Sequence, residues 1–302
     1  MVHGLDLAQL VDSSSYSNYN TTMLPITIVA IEFKNYELSS RALDTTLRLL
    51  PKVKEVLVIS DKDFYPGSRY VYHAGIKDFT EYNQIMLKGV AEHVTDGHAL
   101  YIQYDSMVHQ ANAWMDQFLE YDYIGAPWPN EPEGMNIGNG GFSLRSARLL
   151  QACQDDVITL LPKYDYTNED RVIGNDFRPY LENNYQIKFA PTSVAQKFSY
   201  ELGQYYGSLG IHGVWNILGF GRRETAEFYC SRLEWNNWNE HKWNHIINAL
   251  WQRQHLDLLE TAIKHLKKNQ PHLNTQVGVM IYHHKPYLKD GEKLLELFET
   301  TS

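Results

Sequence analysis

Cysteine is scarce in this chain of 302 residues: Cys153 and Cys230 are the two present, and neither stands in a CxxC pair or at metal-site spacing from a histidine. That excludes a disulfide scaffold and a cysteine-built zinc site. No apolar run approaches the roughly 18 residues of a membrane-spanning helix, and the first residues lack the charged-then-apolar order of a signal peptide. A soluble, cytoplasmic protein is the expectation. Basic charge is also in deficit, with 27 Lys and Arg against 36 Asp and Glu, a formal charge of −9. Nucleic acid is therefore not expected as the ligand, because such footprints are basic. Several catalytic signatures are missing as well: GxGxxG, a Walker GK[ST], the GxSxG nucleophile elbow and HExxH.

What is present is an alternation of buried-strand and helix patterns. "ITIVAIEF" (26–33) is a continuous apolar, β-branched run; "SSRALDTTLRLLP" (39–51) has helical spacing until Pro51; "EVLVISD" (55–61) is a second buried run. Strand, helix and strand within about 35 residues form a βαβ unit and predict a mainly parallel sheet with right-handed crossovers. "EYNQIMLKGVAEHV" (81–94) reads as the next helix and "HALYIQYD" (98–105) as the next strand. A short helix, the strand-like "YDYIGA" (121–126), a Pro- and Gly-rich loop, then a Gly turn, strand and helix through "GNGGFSLRSARLLQAC" (138–153) come after it. Residues 1–22 end in a Ser- and Asn-rich stretch and read as a flexible leader; 23–221 read as the α/β domain. Residues 222–302 read as a helical extension, because "HIINALWQRQHLDLLETAIKHLKK" (245–268) and "GEKLLELFE" (291–299) carry amphipathic periodicity. Its Trp-rich "LEWNNWNEHKWNH" (233–245) either packs on the main domain or offers a contact surface to a membrane or partner enzyme.

Four stretches carry candidate chemistry. Asp105, in "YIQYDS", falls at the carboxyl end of a predicted parallel strand, the edge where open α/β sheets bind ligands. It either ligates a hard cation such as Mg²⁺ or Mn²⁺ or caps a helix after it. Gly140 and Gly141, in "NIGNGGFSLRS", mark either a close backbone approach to a ligand or a hairpin turn. Glu169 and Asp170, in "NEDRVIG", are either a general base beside a hydroxyl nucleophile or solvated surface charge. His212, in "GIHGVWN", is either a metal ligand or a structural histidine. Two histidine motifs fit less well: His241 and His245 have zincin spacing without the glutamate, and "YHHKPY" (282–287) reads equally as a diphosphate contact or a basic turn.

Taken in order, "YIQYDS", "FLEYDYIGAPWP", "NIGNGGFSLRSARLL", "NED", "YLENNYQIKFAPTSVAQKFSYEL" and "IHGVWN" resemble a glycosyltransferase-like family catalogued as a domain of unknown function and found in bacterial polysaccharide loci. The resemblance runs from about Ile26 to Asn216. It implies a GT-A-like nucleotide-sugar-binding α/β sandwich. It further implies transfer from a nucleotide-diphosphate sugar, with a UDP-sugar preferred, to a hydroxyl of a glycan or lipid-linked glycan acceptor at the inner face of a membrane. Where such enzymes carry DxD this chain has Gln103-Tyr104-Asp105, so Asp105 is the sole carboxylate. Asp105 and His212 are the implied ligands of Mn²⁺ or Mg²⁺. By similarity to inverting members, Asp170 or Glu169 is the base, although Arg171 stands where the family more often has a further acid. Ala30, Glu32, Ser60, Asp61, Gln103 and Ser106 are expected around the nucleotide, and Gly140, Gly141, Phe142 and Trp128 around the donor sugar or acceptor. The alternatives are a non-catalytic nucleotide- or sugar-binding module on the same fold, and a retaining transferase.

Overall fold

The computed structural model describes residues 23–161, 168–235, 238–287 and 289–301. Residues 1–22, expected as a leader, lie outside the described residues. The chain opens with β1 (Leu24–Ile31), α1 (Tyr36–Leu49), β2 (Val53–Ser60), β3 (Arg69–Tyr72), α2 (Phe79–Lys88), β4 (His98–Ile102) and β5 (Ser106–Val108). A six-stranded sheet has the order β3-β2-β1-β4, completed by β7 (Phe142–Ser146) and β6 (Tyr123–Ile124). The first four strands are mutually parallel and β7 runs antiparallel to both β4 and β6. The fold is thus mixed α/β with a mainly parallel central sheet, as the alternating patterns predict.

Burial explains the pattern. From Ile26 to Ile31 every residue of β1 is buried, since helices cover both faces of the sheet. Helix α1 buries Leu38, Ala42, Leu43 and Thr46 on one side and stops before Pro51. One strand was not foreseen and one expectation needs correction. β3 has no buried run to reveal it, because it is short and half exposed at the sheet edge. The helix expected over 81–94 ends at Lys88, closed by the Gly89 N–H donating to the Ile85 carbonyl.

After β7 come α3 (Ala147–Ala152), the single turn α4 (Glu169–Arg171), α5 (Arg178–Tyr185), α6 (Thr192–Phe198), β8 (Ser199–Tyr200) and β9 (Gly210–His212). Strands β5, β9 and β8 form a small second sheet, with β5 antiparallel to β9. The rest is helical: α7 (Val214–Phe220), α8 (Arg223–Cys230), α9 (Glu240–Gln252), α10 (Leu256–Asn269), α11 (Asn274–His284) and α12 (Gly291–Thr300). These helices share one apolar core that also takes in Leu38 of α1, Met107 of β5 and Ile211 of β9. Trp235 and Trp243 stack inside it with ring centroids 5.5 Å apart, and Trp243 has no exposed surface. None of the described helices is long and apolar enough to cross a membrane.

Candidate active site

Sheet register assembles the site. Strand β4 ends at Ile102, and Gln103 to Asp105 form a turn closed by the Ser106 N–H on the Gln103 carbonyl at 3.0 Å. The chain passes from Asp105 directly into β5 and not into a helix, which removes the helix-cap reading. Ser106 is paired with His212 across the β5–β9 ladder, and the Gly213 N–H donates to the Asp105 carbonyl at 2.8 Å. Two residues far apart in the chain are thereby neighbours: His212 Nε2 lies 3.5 Å from Asp105 Oδ1. On its other side, His212 Nδ1 lies 3.2 Å from Glu201 Oε1.

The glycine pair joins this turn to the acids. Ser106 Oγ donates to the Gly141 carbonyl at 2.7 Å, and the Gln103 N–H does so at 3.2 Å. A Cβ on Gly141 would sit 2.2 Å from His212 Nε2 and 2.7 Å from Gln103 Oε1. A Cβ on Gly140 would sit 2.3 Å from Glu169 Oε1 and 3.2 Å from Asp170 Cβ. The nearest contact at each position is under 3.0 Å, so a side chain there would force its neighbours to move. Consecutive α-carbons are about 3.8 Å apart, so one peptide unit separates the place where the acid pair meets the backbone from the place where His212 meets it.

The two acids differ in what holds them. Glu169 is buried, and its Oε1 accepts from Arg145 Nη2 at 2.7 Å. Arg145 is itself fully buried, donates to the Met86 carbonyl and Ser143 Oγ, and lies 3.9 Å over the Tyr101 ring. Glu169 therefore neutralises a buried guanidinium. Asp170 Oδ2 accepts from the Gly140 N–H at 3.0 Å and Oδ1 from the Arg171 N–H at 2.7 Å. Burial, and then the charge of Glu169 beside it, push its carboxyl up to about 7, against the pull of the Gly140 N–H and Arg145.

Asp105 is held below the usual carboxylate range: burial is the largest single influence and would raise it, but the charge and contact of His212, the charge of Lys242 and its own backbone N–H together outweigh burial. His212 is correspondingly raised, with the charges of Asp105 and Glu201 overcoming its burial. An implied divalent cation would take the place of the proton on His212 Nε2, and with that proton gone the donor atoms fit it. Asp105 Oδ1 is a buried oxygen with no hydrogen-bond partner, and the histidine nitrogen facing it is a second donor atom of suitable type. Among the described residues no group of three or more His, Cys, Asp and Glu side chains could hold a metal ion together. Such a cation would take these two ligands and complete its shell with water and phosphate oxygens.

The remaining expected residues fall into two sets. Gln103, half-buried, directs its Nε2 to the Tyr82 hydroxyl at 3.1 Å. Trp128, also half-buried, lies against Gly138 and under the Arg171 guanidinium, 4.8 Å from its ring centroid, while Arg171 also pairs with Glu131. Asp61 is exposed and accepts from the Tyr36 hydroxyl. Ala30, Ser60, Ser106 and Phe142, by contrast, have no exposed surface for a ligand to touch. They support the site from behind: Ser60 Oγ holds the Glu32 carbonyl, Ser106 ties the turn to Gly141, and the Phe142 ring fills the space over Gly210. Glu32 is buried, and its Oε1 accepts from the N–H groups of Phe33, Lys34 and Asn35, shaping the loop before α1. Burial raises its carboxyl despite those bonds.

Sequence reasoning missed Glu201, Asn139 and Arg145. Asn139 sits within the glycine motif, but no local pattern pairs it with Glu201 at 2.8 Å. The weaker histidine motifs lie on the C-terminal helices, where the His245 ring stacks on Trp215 and His284 Nδ1 faces Asn244 Nδ2 at 3.2 Å.

A family model described as "Protein of unknown function (DUF5672)" matches residues 68–212, a span that holds Gln103, Asp105, the glycine pair and the acid pair and ends on His212. No curated protein matches the chain by sequence. Among solved structures, the chain is similar to a glycosyltransferase involved in glycosylation of the major capsid of PBCV-1, at 12% identity and TM-score 0.40, over 68% of this chain and 98% of the other. It is also similar to a mannosyltransferase from Pyrobaculum calidifontis in complex with GDP-Man and Mn²⁺, at 10% identity and TM-score 0.41, over 92% and 87% of the two chains. A third similarity is to the apo form of the glycosyltransferase GlyE of Streptococcus pneumoniae, at 12% identity and TM-score 0.36, over 63% and 54%.

Proposed function

We propose that the protein is a glycosyltransferase that moves a sugar from a nucleotide-diphosphate donor, with a UDP-sugar preferred, to a hydroxyl of a glycan acceptor in surface polysaccharide synthesis, with inversion at the anomeric carbon. The observation that carries this reading is the glycine pair, with a raised carboxyl against Gly140 and the Asp105–His212 pair against Gly141. Sugar transfer needs a proton acceptor and a place for diphosphate charge within one sugar ring of each other, and those two contacts supply both.

Asp170 is the base in this mechanism, because the Glu169 carboxylate is committed to Arg145. The acceptor oxygen forms its bond to the anomeric carbon as the bond from that carbon to the diphosphate oxygen breaks. The acceptor proton passes to Asp170, and the nucleoside diphosphate leaves with the bonding pair. Asp105 and His212 would hold a divalent cation, Mn²⁺ or Mg²⁺, which when bound offsets the charge on the departing diphosphate. Gly141 leaves room for backbone to approach the sugar, and Glu169 with Arg145 fixes the turn that carries Asp170.

A second reading, a nucleotide-sugar-binding module without transfer, draws on Gln103, whose amide serves Tyr82 in the place of a second carboxylate. A panel of nucleotide sugars screened by thermal stabilisation, with and without Mn²⁺, tests donor binding. The proposal expects stabilisation by one donor class, enhanced by the cation. A flat panel in both conditions contradicts both readings.

A further inference from the structure

A directed chain of contacts runs from the glycine loop to the candidate cation pair. The Gly141 N–H donates to Asn139 Oδ1 at 3.1 Å, which fixes the orientation of that amide and turns its NH₂ away from the loop. Asn139 Nδ2 then donates to Glu201 Oε2 at 2.8 Å. The other oxygen, Oε1, stands 3.2 Å from His212 Nδ1, off the hydrogen-bond line but in charge contact. Beyond the ring, Nε2 faces Asp105 Oδ1 at 3.5 Å. The Glu201 backbone is anchored separately, its carbonyl accepting from Asn216 Nδ2 at 2.8 Å.

The polarity of this chain has one consequence at its far end. Glu201 and Asp105 both only accept, so without a cation each ring nitrogen has a carboxylate facing its proton; a cation beside Asp105 displaces the proton on Nε2, and the one that stays is on Nδ1, facing Glu201. We infer that Glu201 is a positioning residue that keeps the remaining proton of His212 on Nδ1, and so leaves Nε2 to a cation beside Asp105, with Asn139 transmitting the orientation from the glycine loop. A carboxylate behind a ligating histidine is a recurrent way to fix its tautomer and raise its basicity. The inference rests on the proposed cation site.

Glu201→Gln tests it with nearly unchanged shape. Asn139 still presents its NH₂ to residue 201, so the new amide must accept there with its oxygen and turn its own NH₂ toward His212 Nδ1. That nitrogen becomes an acceptor, and the ring proton of a neutral imidazole moves to Nε2, facing Asp105. Two readouts do not depend on sugar transfer. Binding of Mn²⁺ alone, measured by the electron paramagnetic resonance signal of the free ion, should weaken by about 10- to 100-fold, with the melting midpoint close to that of wild type. Long-range ¹H–¹⁵N correlation of His212 should show Nδ1 protonated in wild type and unprotonated in Glu201→Gln. Equal Mn²⁺ affinity with Nδ1 still protonated overturns the inference. Wild-type protein that fails to bind Mn²⁺ defeats the proposed cation site instead, and the nitrogen signals still decide the role of Glu201.

Discussion

Glu169 and Asp170 are adjacent in sequence yet chemically unequal, because buried Arg145 claims the first and a glycine amide the second. Asp170→Asn should lower turnover by about 10²- to 10⁴-fold, the usual worth of a positioned base, and leave donor affinity within a few-fold, as measured by kcat and by nucleotide-sugar binding. A base must be unprotonated to act, so kcat/KM should rise with pH through about 7 and level off above it. The same raised carboxyl binds more protons in the fold than in the unfolded chain between about pH 4 and 7. Its contribution to stability therefore falls as pH rises through that window, and Asp170→Asn should remove this slope from denaturant titrations. Asp105, Asp170 and His212 could be named as candidates from the sequence, each beside an ordinary structural alternative, and their roles came from the order of motifs that carries the resemblance. Glu201 and Arg145 could not be, since their partners come from other elements of the chain.

At the level of elements, the glycine loop is pinned between α4 and the β5–β9 ladder, so its two positions should fail differently. Gly140→Ala meets Glu169 Oε1 and Arg145 Nη2, and Gly141→Ala meets the His212 ring. Each should cost about 1–3 kcal/mol as an overpacked site, with Gly141→Ala alone weakening Mn²⁺ binding; denaturant unfolding and metal titration separate the two. The tie between β7 and α4 is the buried Arg145–Glu169 pair. Arg145→Met should cost about 3–5 kcal/mol by leaving Glu169 uncompensated, and Arg145→Met with Glu169→Leu should recover much of that loss. Strand and helix patterns of β1, α1, β2 and β4 were readable because both faces of their sheet are covered. The edge strand β3 was not, because its exposure erases the apolar run that identifies a buried strand.

Across the whole molecule, the C-terminal helices close over apolar residues of the α/β part, including Leu38, Met107 and Ile211. Their amphipathic periodicity was plain in the sequence, whereas the sharing of one core with α1, β5 and β9 was not, because it depends on tertiary contacts that no period encodes. Trp243→Ala, at the centre of that core, should cost about 3–5 kcal/mol and loosen the β5–β9 ladder that carries Asp105 and His212, so both cation binding and the unfolding midpoint should fall together. Base and cation pair are tested together by release of nucleoside diphosphate from the donor selected by the binding screen, in the presence of Mn²⁺, for wild type, Asp105→Ala and Asp170→Asn. Wild type should turn the donor over, both variants should lose turnover, and Asp170→Asn should still bind the donor. Undiminished turnover in the Asp105→Ala or Asp170→Asn protein would contradict the roles proposed for those two carboxylates.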